Sequence, residues 1–196
     1  MVSRFLTPAD MPEIEKLLSQ ERLSTFMNLT KTRESAIELH QSTMSLGVAI
    51  SAVSGLIEIG LRNAVCHQML VEFKITDWLR KPPASLRWGS LEMFSIKKAN
   101  SNAQRAAYSK LSGPEKSALD AVALPNGNYA KIKHRKLVQK RQSTLHVLEG
   151  QVIAQLTMHF WKRLFSQDYE KVLWKRALKR VFPNKSISRA NVAEKN

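Results

Sequence analysis

From Gln41 to Ile57 the chain carries no charged residue for 17 positions, and from about Ser35 to Phe73 it carries no proline. No other stretch constrains the fold as strongly. Apolar residues recur on nearly every face between Met44 and Leu70, so the segment reads as one long helix rather than an alternating strand. A helix that is apolar all round has to be covered, by the rest of a fold or by lipid. Its Ser and Gly content is high, and Glu58 and Arg62 follow at once. The expectation is therefore a buried helix at the centre of a soluble bundle, with no membrane span. Within it Gly47, Ser51 and Gly55 fall four apart, a small-residue stripe that allows close helix packing in a core or at a subunit interface.

The remaining punctuation is also that of helices and turns. Thr7-Pro8-Ala9-Asp10 offers a capping hydroxyl, an early proline and early acids, so a helix should begin there and run through Ile14, Leu17 and Leu18. Lys81-Pro82-Pro83, Ser112-Gly113-Pro114 and Leu124-Pro125-Asn126-Gly127-Asn128 mark breaks, and Trp88 to about Leu111 has helical spacing between the first two. Ala130 to about Phe165 reads as one long helix, or two abutting at Gly150. Tyr169 to Phe182 reads as a last amphipathic helix stopped by Pro183. There is no internal repeat and no low-complexity tract. These patterns predict an all-α protein, a helical bundle forming a single domain over residues 1–185, with a polar tail at 186–196.

With 196 residues and 43% hydrophobic content, one well-buried core is within reach. The lone Cys66 has no second cysteine to pair with, which excludes an intramolecular disulfide and a cysteine-rich zinc site. The start, MVSRFLTPADMPEIEKLL, has acids and a proline where a secretory signal needs a basic and then apolar run. A reducing cytoplasm is the expected location.

The formal net charge of +15 is unevenly spread. Lys and Arg number 12 against 10 Asp and Glu in residues 1–100, and 19 against 6 in residues 101–196, an excess of +2 and then +13. Such a half suits a polyanion, because each neutralised phosphate releases condensed counterions. The densest run is Lys131, Lys133, Arg135 and Lys136, continuing to Lys140 and Arg141, and these six are the candidate nucleic-acid contacts. Trp161, Trp174, Phe160 and Phe165, at helical spacing, read as core rather than as stacking platforms. The histidines show no metal-ligand spacing, so neither a metal nor another cofactor is expected.

Four polar residues interrupt the long apolar helix: Glu58, Arg62, Asn63 and His67. Glu58 and Arg62 are four apart, as are Asn63 and His67, so each pair shares a face. Arg62 and His67 differ by about 140° in direction on a straight helix. In a structural role Glu58 pairs with Arg62 and the cluster organises a buried centre. In a chemical role an imidazole moves a proton at the 2′-hydroxyl or the leaving 5′-oxygen of RNA while a guanidinium steadies the phosphorus-centred charge. Two subunits meeting across the motif would then complete a site. Arg141 and His146 repeat the same spacing.

Glu58 with Leu61-Arg62-Asn63, then Asp77-Trp78-Leu79, and later GQVIAQLTMHFW from Gly150 to Trp161 with Leu164-Phe165, Tyr169, Leu173-Trp174, Leu178 and Phe182-Pro183, together resemble the Abi-like (abortive infection) family of bacterial proteins. The resemblance extends over roughly residues 50–185. That family is assigned to the HEPN group, which is all-helical, commonly dimeric and often made of metal-independent ribonucleases of phage defence or toxin systems. Its mark is Arg-Asn with a His four to six residues beyond the Arg, which Arg62, Asn63 and His67 match. His159 stands where the family usually has glycine. The second Arg-Asn…His motif, carried in the family by a helix beyond the Phe-Pro, has no counterpart in the closing SISRANVAEKN.

The resemblance implies an HEPN-like bundle, a homodimer, RNA as substrate and an antitoxin or other protein partner. Cleavage would proceed by 2′-hydroxyl transesterification, with His67 as acid or base, Arg62 on the phosphate, Asn63 orienting the imidazole and Glu58 paired with Arg62. A different class of reading is a non-catalytic nucleic-acid-binding or toxin-associated module using the basic C-terminal half. A third is a helical scaffold whose charge serves solubility or an acidic protein partner.

Overall fold

The computed structural model describes residues 7–125, 127, 132–184, 186 and 188–193, and among them every regular element is helical. The chain divides into two compact units, Met1–Ile57 and Glu58–Asn196, with one continuous helix running from the first into the second.

In the first unit a short 3-10 turn, Pro8–Asp10, leads into α1 (Met11–Leu18), α2 (Gln20–Met27) and the start of α3 (Arg33–Phe73). The cap at the entry is the reverse of the expected one. Asp10 Oδ2 accepts from the Thr7 backbone N–H at 2.7 Å and from its hydroxyl at 2.8 Å, so the carboxylate rather than the hydroxyl ties the turn together. Leu23, Ala36, Ile37 and His40 are buried here, with the Phe26 ring edge-on to His40 at 5.1 Å.

Farther along α3 the burial expected of it is missing. Met44, Leu46, Val48, Ile50, Val53, Leu56 and Ile57 are each 56% to 71% exposed. The helix is therefore not the covered centre of the bundle. The physical reason is one of supply: an all-round apolar helix needs neighbours on every side, and the other helices spend their apolar faces elsewhere.

They spend them in the second unit. Its core gathers Val65 and Met69 from the end of α3, Trp78, Leu79 and Leu86 from the connection, Ile96, Ala99 and Ala103 from α4 (Ser90–Ser109), and the apolar residues between Val147 and Leu178. Phe160, Trp161, Phe165 and Trp174 are all at most 4% exposed, which is the core role their spacing indicates. Trp88 stands between Trp78, Phe160 and Tyr169 at ring separations of 5.9, 6.0 and 5.9 Å. Its Nε1 donates to the Leu79 carbonyl at 3.0 Å, satisfying the one polar atom of the indole. α3 ends at Lys74, whose φ of 58° is the left-handed conformation that closes helices.

Next come α5 (Gly113–Ala118), capped by Ser112 and Glu115, and α6 (Asp120–Ala123). The helix expected across residues 130–165 is three short ones: α7 (His134–Ser143), α8 (Glu149–Ile153) and α9 (Met158–Arg163). Leu148 takes an extended conformation (φ −70°, ψ 153°) ahead of α8, and Thr157 does the same (φ −98°, ψ 165°) ahead of α9. These corners let α7, α8 and α9 each pack on α4. The stretch expected as one amphipathic helix from Tyr169 to Phe182 is a 3-10 turn (Gln167–Tyr169), a π turn (Glu170–Trp174) and a second 3-10 turn (Leu178–Val181). A last helix, α10, spans Arg189–Ala193.

Candidate nucleic-acid interface

On α3 the polar residues of the second unit form two rows. Asn63 and His67 are exposed, in line with the partly exposed Leu70 and Val71, while Glu58, Arg62 and Cys66 are half-buried. None of Glu58, Arg62, Asn63 and His67 makes a side-chain hydrogen bond or ion pair with another described residue. The expected Glu58–Arg62 pair is absent because each head reaches water and neither needs the other. Arg62 instead acts on Cys66 one turn away, where its charge partly offsets the burial and the Glu149 charge that push the thiol up to about 11. Cys66 is thus a packing residue rather than a reactive thiol. The His67 imidazole meets solvent freely, but no described carboxylate or carbonyl fixes its tautomer.

The basic run divides as well. Lys131 lies outside the described residues. Lys133, Arg135, Lys136 and Lys140 are exposed and enter no ion pair with a described residue, and Lys133, Lys136 and Lys140 at spacings of three and four share one face of α7 and its cap. Arg141 is committed elsewhere: its Nε and Nη2 donate to Asp120 Oδ1 and Oδ2 at 2.6 and 2.7 Å, a bidentate pair that clamps α7 to α6. That pair holds the Asp120 carboxyl below the usual range. Arg141 is therefore a structural residue, and the Arg141–His146 repeat of the spacing loses its arginine. From α4, Lys97, Lys98 and Arg105 add exposed cations beside an exposed Phe94. They went unread in the sequence because they are scattered through a helix of mixed composition rather than gathered in a run.

Two buried polar groupings also went unread. Glu92, 1% exposed, receives Arg163 Nε from α9 and lies against Tyr169, whose hydroxyl accepts the Gly89 N–H at 3.0 Å. Burial works to raise the Glu92 carboxyl, but the hydrogen bonds from Arg163 and Tyr169 outweigh it and hold it low. The second grouping joins Asp77 to Glu149. Glu149 Oε1 accepts the Leu79 N–H at 2.9 Å, and Arg80 reaches Asp77 at 3.6 Å and the Val147 carbonyl at 2.8 Å. Burial, with the hydrogen bond and charge of Asp77, pushes the Glu149 carboxyl up to about 8. The raised Glu149 carboxyl holds its proton beside the Asp77 side chain. No signal in the sequence links positions 72 apart, so only the fold reveals the pair.

Among the described residues no three His, Cys, Asp or Glu side chains gather as metal ligands would. The chemistry available is proton exchange at the exposed His67 imidazole, with Arg62 on a different face of α3, and phosphate attraction at the exposed face of α7. No protein-family model, no curated protein and no solved structure matches this chain.

Proposed function

We propose that this chain is a cytoplasmic, HEPN-like protein of the Abi-like kind that binds RNA and cleaves it without a metal or other cofactor, working as a homodimer in phage defence or a toxin system with an antitoxin or other protein partner. The observation that carries the binding is the set of exposed cations on α7 and its cap that enter no ion pair with a described residue, Lys133, Lys136 and Lys140 on one face and Arg135 off it, in a unit where 26 Lys and Arg stand against 10 Asp and Glu. Cations left unneutralised by their own protein attract a polyanion and gain from the counterions it releases. Cleavage rests on the match of Arg62, Asn63 and His67 to the family mark and on the solvent access of His67. In this reading His67 transfers the proton, Arg62 meets the phosphate and Asn63 borders the imidazole. Glu58, half-buried one turn before Arg62, sets the local charge.

One observation favours a second reading, a non-catalytic RNA-binding or toxin-associated module: no described side chain orients the His67 ring. Incubating the purified chain with single-stranded RNA in excess chelator separates the two. Products ending in a 2′,3′-cyclic phosphate support cleavage, whereas salt-dependent binding with intact RNA leaves the binding module.

A further inference from the structure

α4 sorts its residues by direction. At about 100° per residue, the buried Glu92, Ile96, Ala99 and Ala103 fall within about 60° of one another and mark the core side of the helix. On the opposite side Phe94, Lys97, Lys98, Ser101 and Arg105 fall within about 100°, and all five are exposed. Phe94 is 66% exposed, and among the described aromatic side chains it is the only exposed one. Its ring therefore stands on the side of α4 turned away from the core, at one end of a row of cations that ends at Arg105, about 16 Å along the helix. Glu92 is the one acid of α4 and is buried against Arg163, so nothing within the helix neutralises the row. Lys97, Lys98 and Arg105 enter no ion pair with a described residue.

We propose that this row is a track for single-stranded nucleic acid, in which an unpaired base stacks on Phe94 while Lys97, Lys98 and Arg105 hold the flanking phosphates. Every base has a flat π-face that a phenyl ring can meet, and cations along the same line follow the backbone. The base has to be unpaired, because inside a duplex both of its faces are covered by neighbouring pairs. An acidic protein surface would answer the cations but leave the ring without a flat partner. A membrane is the poorer occupant as well. Lipid insertion needs a helix with a continuous apolar face, and here the apolar part consists of Leu91 and Phe94, followed by two turns of cations and a serine.

The Arg105 end of the track adjoins α7. Gln104, next to Arg105, donates from Nε2 to the Ser143 and Leu145 carbonyls at 3.3 and 3.0 Å, which ties this part of α4 to the end of α7. The track rests on the RNA reading of the proposed function and adds a selectivity to it. Charge on α7 attracts any polyanion, whereas Phe94 favours a strand whose bases are free.

The test compares three probes on the full chain by fluorescence anisotropy: oligouridine, a blunt RNA duplex, and heparin as a polyanion without bases. Phe94→Ala should weaken oligouridine binding at least about fivefold, the smallest effect expected of one lost base–aromatic stack. Its salt slope should stay the same, since no charge is removed, and duplex and heparin binding should change less than about twofold. Phe94→Trp should restore oligouridine binding, because indole stacks as well as phenyl. Lys97→Ala/Lys98→Ala/Arg105→Ala should flatten the oligouridine salt slope by up to about 2, at about 0.7 for each phosphate contact. The track is overturned if Phe94→Ala leaves oligouridine binding unchanged or weakens all three probes alike, or if the triple variant keeps the parent slope. It is also overturned if Phe94→Ala instead releases the chain from phosphatidylglycerol vesicles with oligouridine binding intact, which makes the face a membrane contact. A parent chain that binds neither RNA probe removes the proposed function together with the track, whereas a parent that binds RNA regardless of Phe94 removes the track alone.

Discussion

His67 is exposed and makes no hydrogen bond to a described residue, so replacing it with Ala removes a proton carrier and little else. Surface changes of that kind stay within about 0.5 kcal/mol. If His67 performs acid-base catalysis, His67→Ala should slow RNA cleavage about a hundredfold in excess chelator while the thermal midpoint stays put. An unchanged rate would return Arg62 to His67 to packing. The missing Glu58–Arg62 pair alters what Arg62→Ala should do. Breaking a buried ion pair costs about 3–5 kcal/mol, but Arg62 is half-buried and unpaired, so its loss should cost no more than about 1 kcal/mol. Asp77 and Glu149 give a pH signature at the same scale. The Glu149 carboxyl, raised from 4.5 to about 8, keeps a proton in the folded chain that the unfolded chain has already released. Stability should therefore fall as pH rises from about 4.5 to about 8 and level off above. Thermal melts across that window, compared with those of Glu149→Gln, should show the decline in the parent and a flatter profile in the variant.

Elements were easier to read than their surroundings. Proline-free length and periodic apolar residues located α3 within two residues at each end, and Gly-Pro and Pro-Pro steps located the ends of α4. Whether α3 is covered was not legible, because periodicity reports which faces are apolar and not which partner meets them. The breaks at Leu148 and Thr157 were hidden for a related reason: neither residue is a turn former, and the chain bends there because three short helices cover α4 better than one long one. At the site, the exposed lysines of α7 were legible from charge alone, whereas the Arg141–Asp120 clamp depends on a fold that brings positions 21 apart together. The clearest tie between elements is Arg163 on α9 to Glu92 on α4, whose carboxylate side chain is 1% exposed. Arg163→Ala strands that carboxylate in the core and should cost about 3 kcal/mol in urea unfolding, with Arg163→Lys recovering part of it. Equal stability in all three chains would show that Tyr169 alone suffices to hold Glu92.

For the whole molecule the deciding quantity is where unneutralised charge sits. The chain pairs many of its arginines internally, as in Arg141–Asp120, Arg163–Glu92 and the Arg176 and Arg180 contacts with Glu72, and leaves the lysine-rich face of α7 without acidic partners among the described residues. Polyanion binding should concentrate on that face. Changing Lys133, Arg135, Lys136 and Lys140 to Ala removes exposed side chains that make no hydrogen bond or ion pair with a described residue, so folding should persist. Affinity for single-stranded RNA should fall similarly for all sequences, because phosphate contacts carry no base information. The slope of log affinity against log salt should flatten by up to about 3, since each phosphate contact on a single strand contributes about 0.7. The control is Lys97→Ala/Lys98→Ala/Arg105→Ala on α4. If that triple variant flattens the slope and the α7 variant leaves it unchanged, the RNA path runs over α4 and the α7 run is solvated charge.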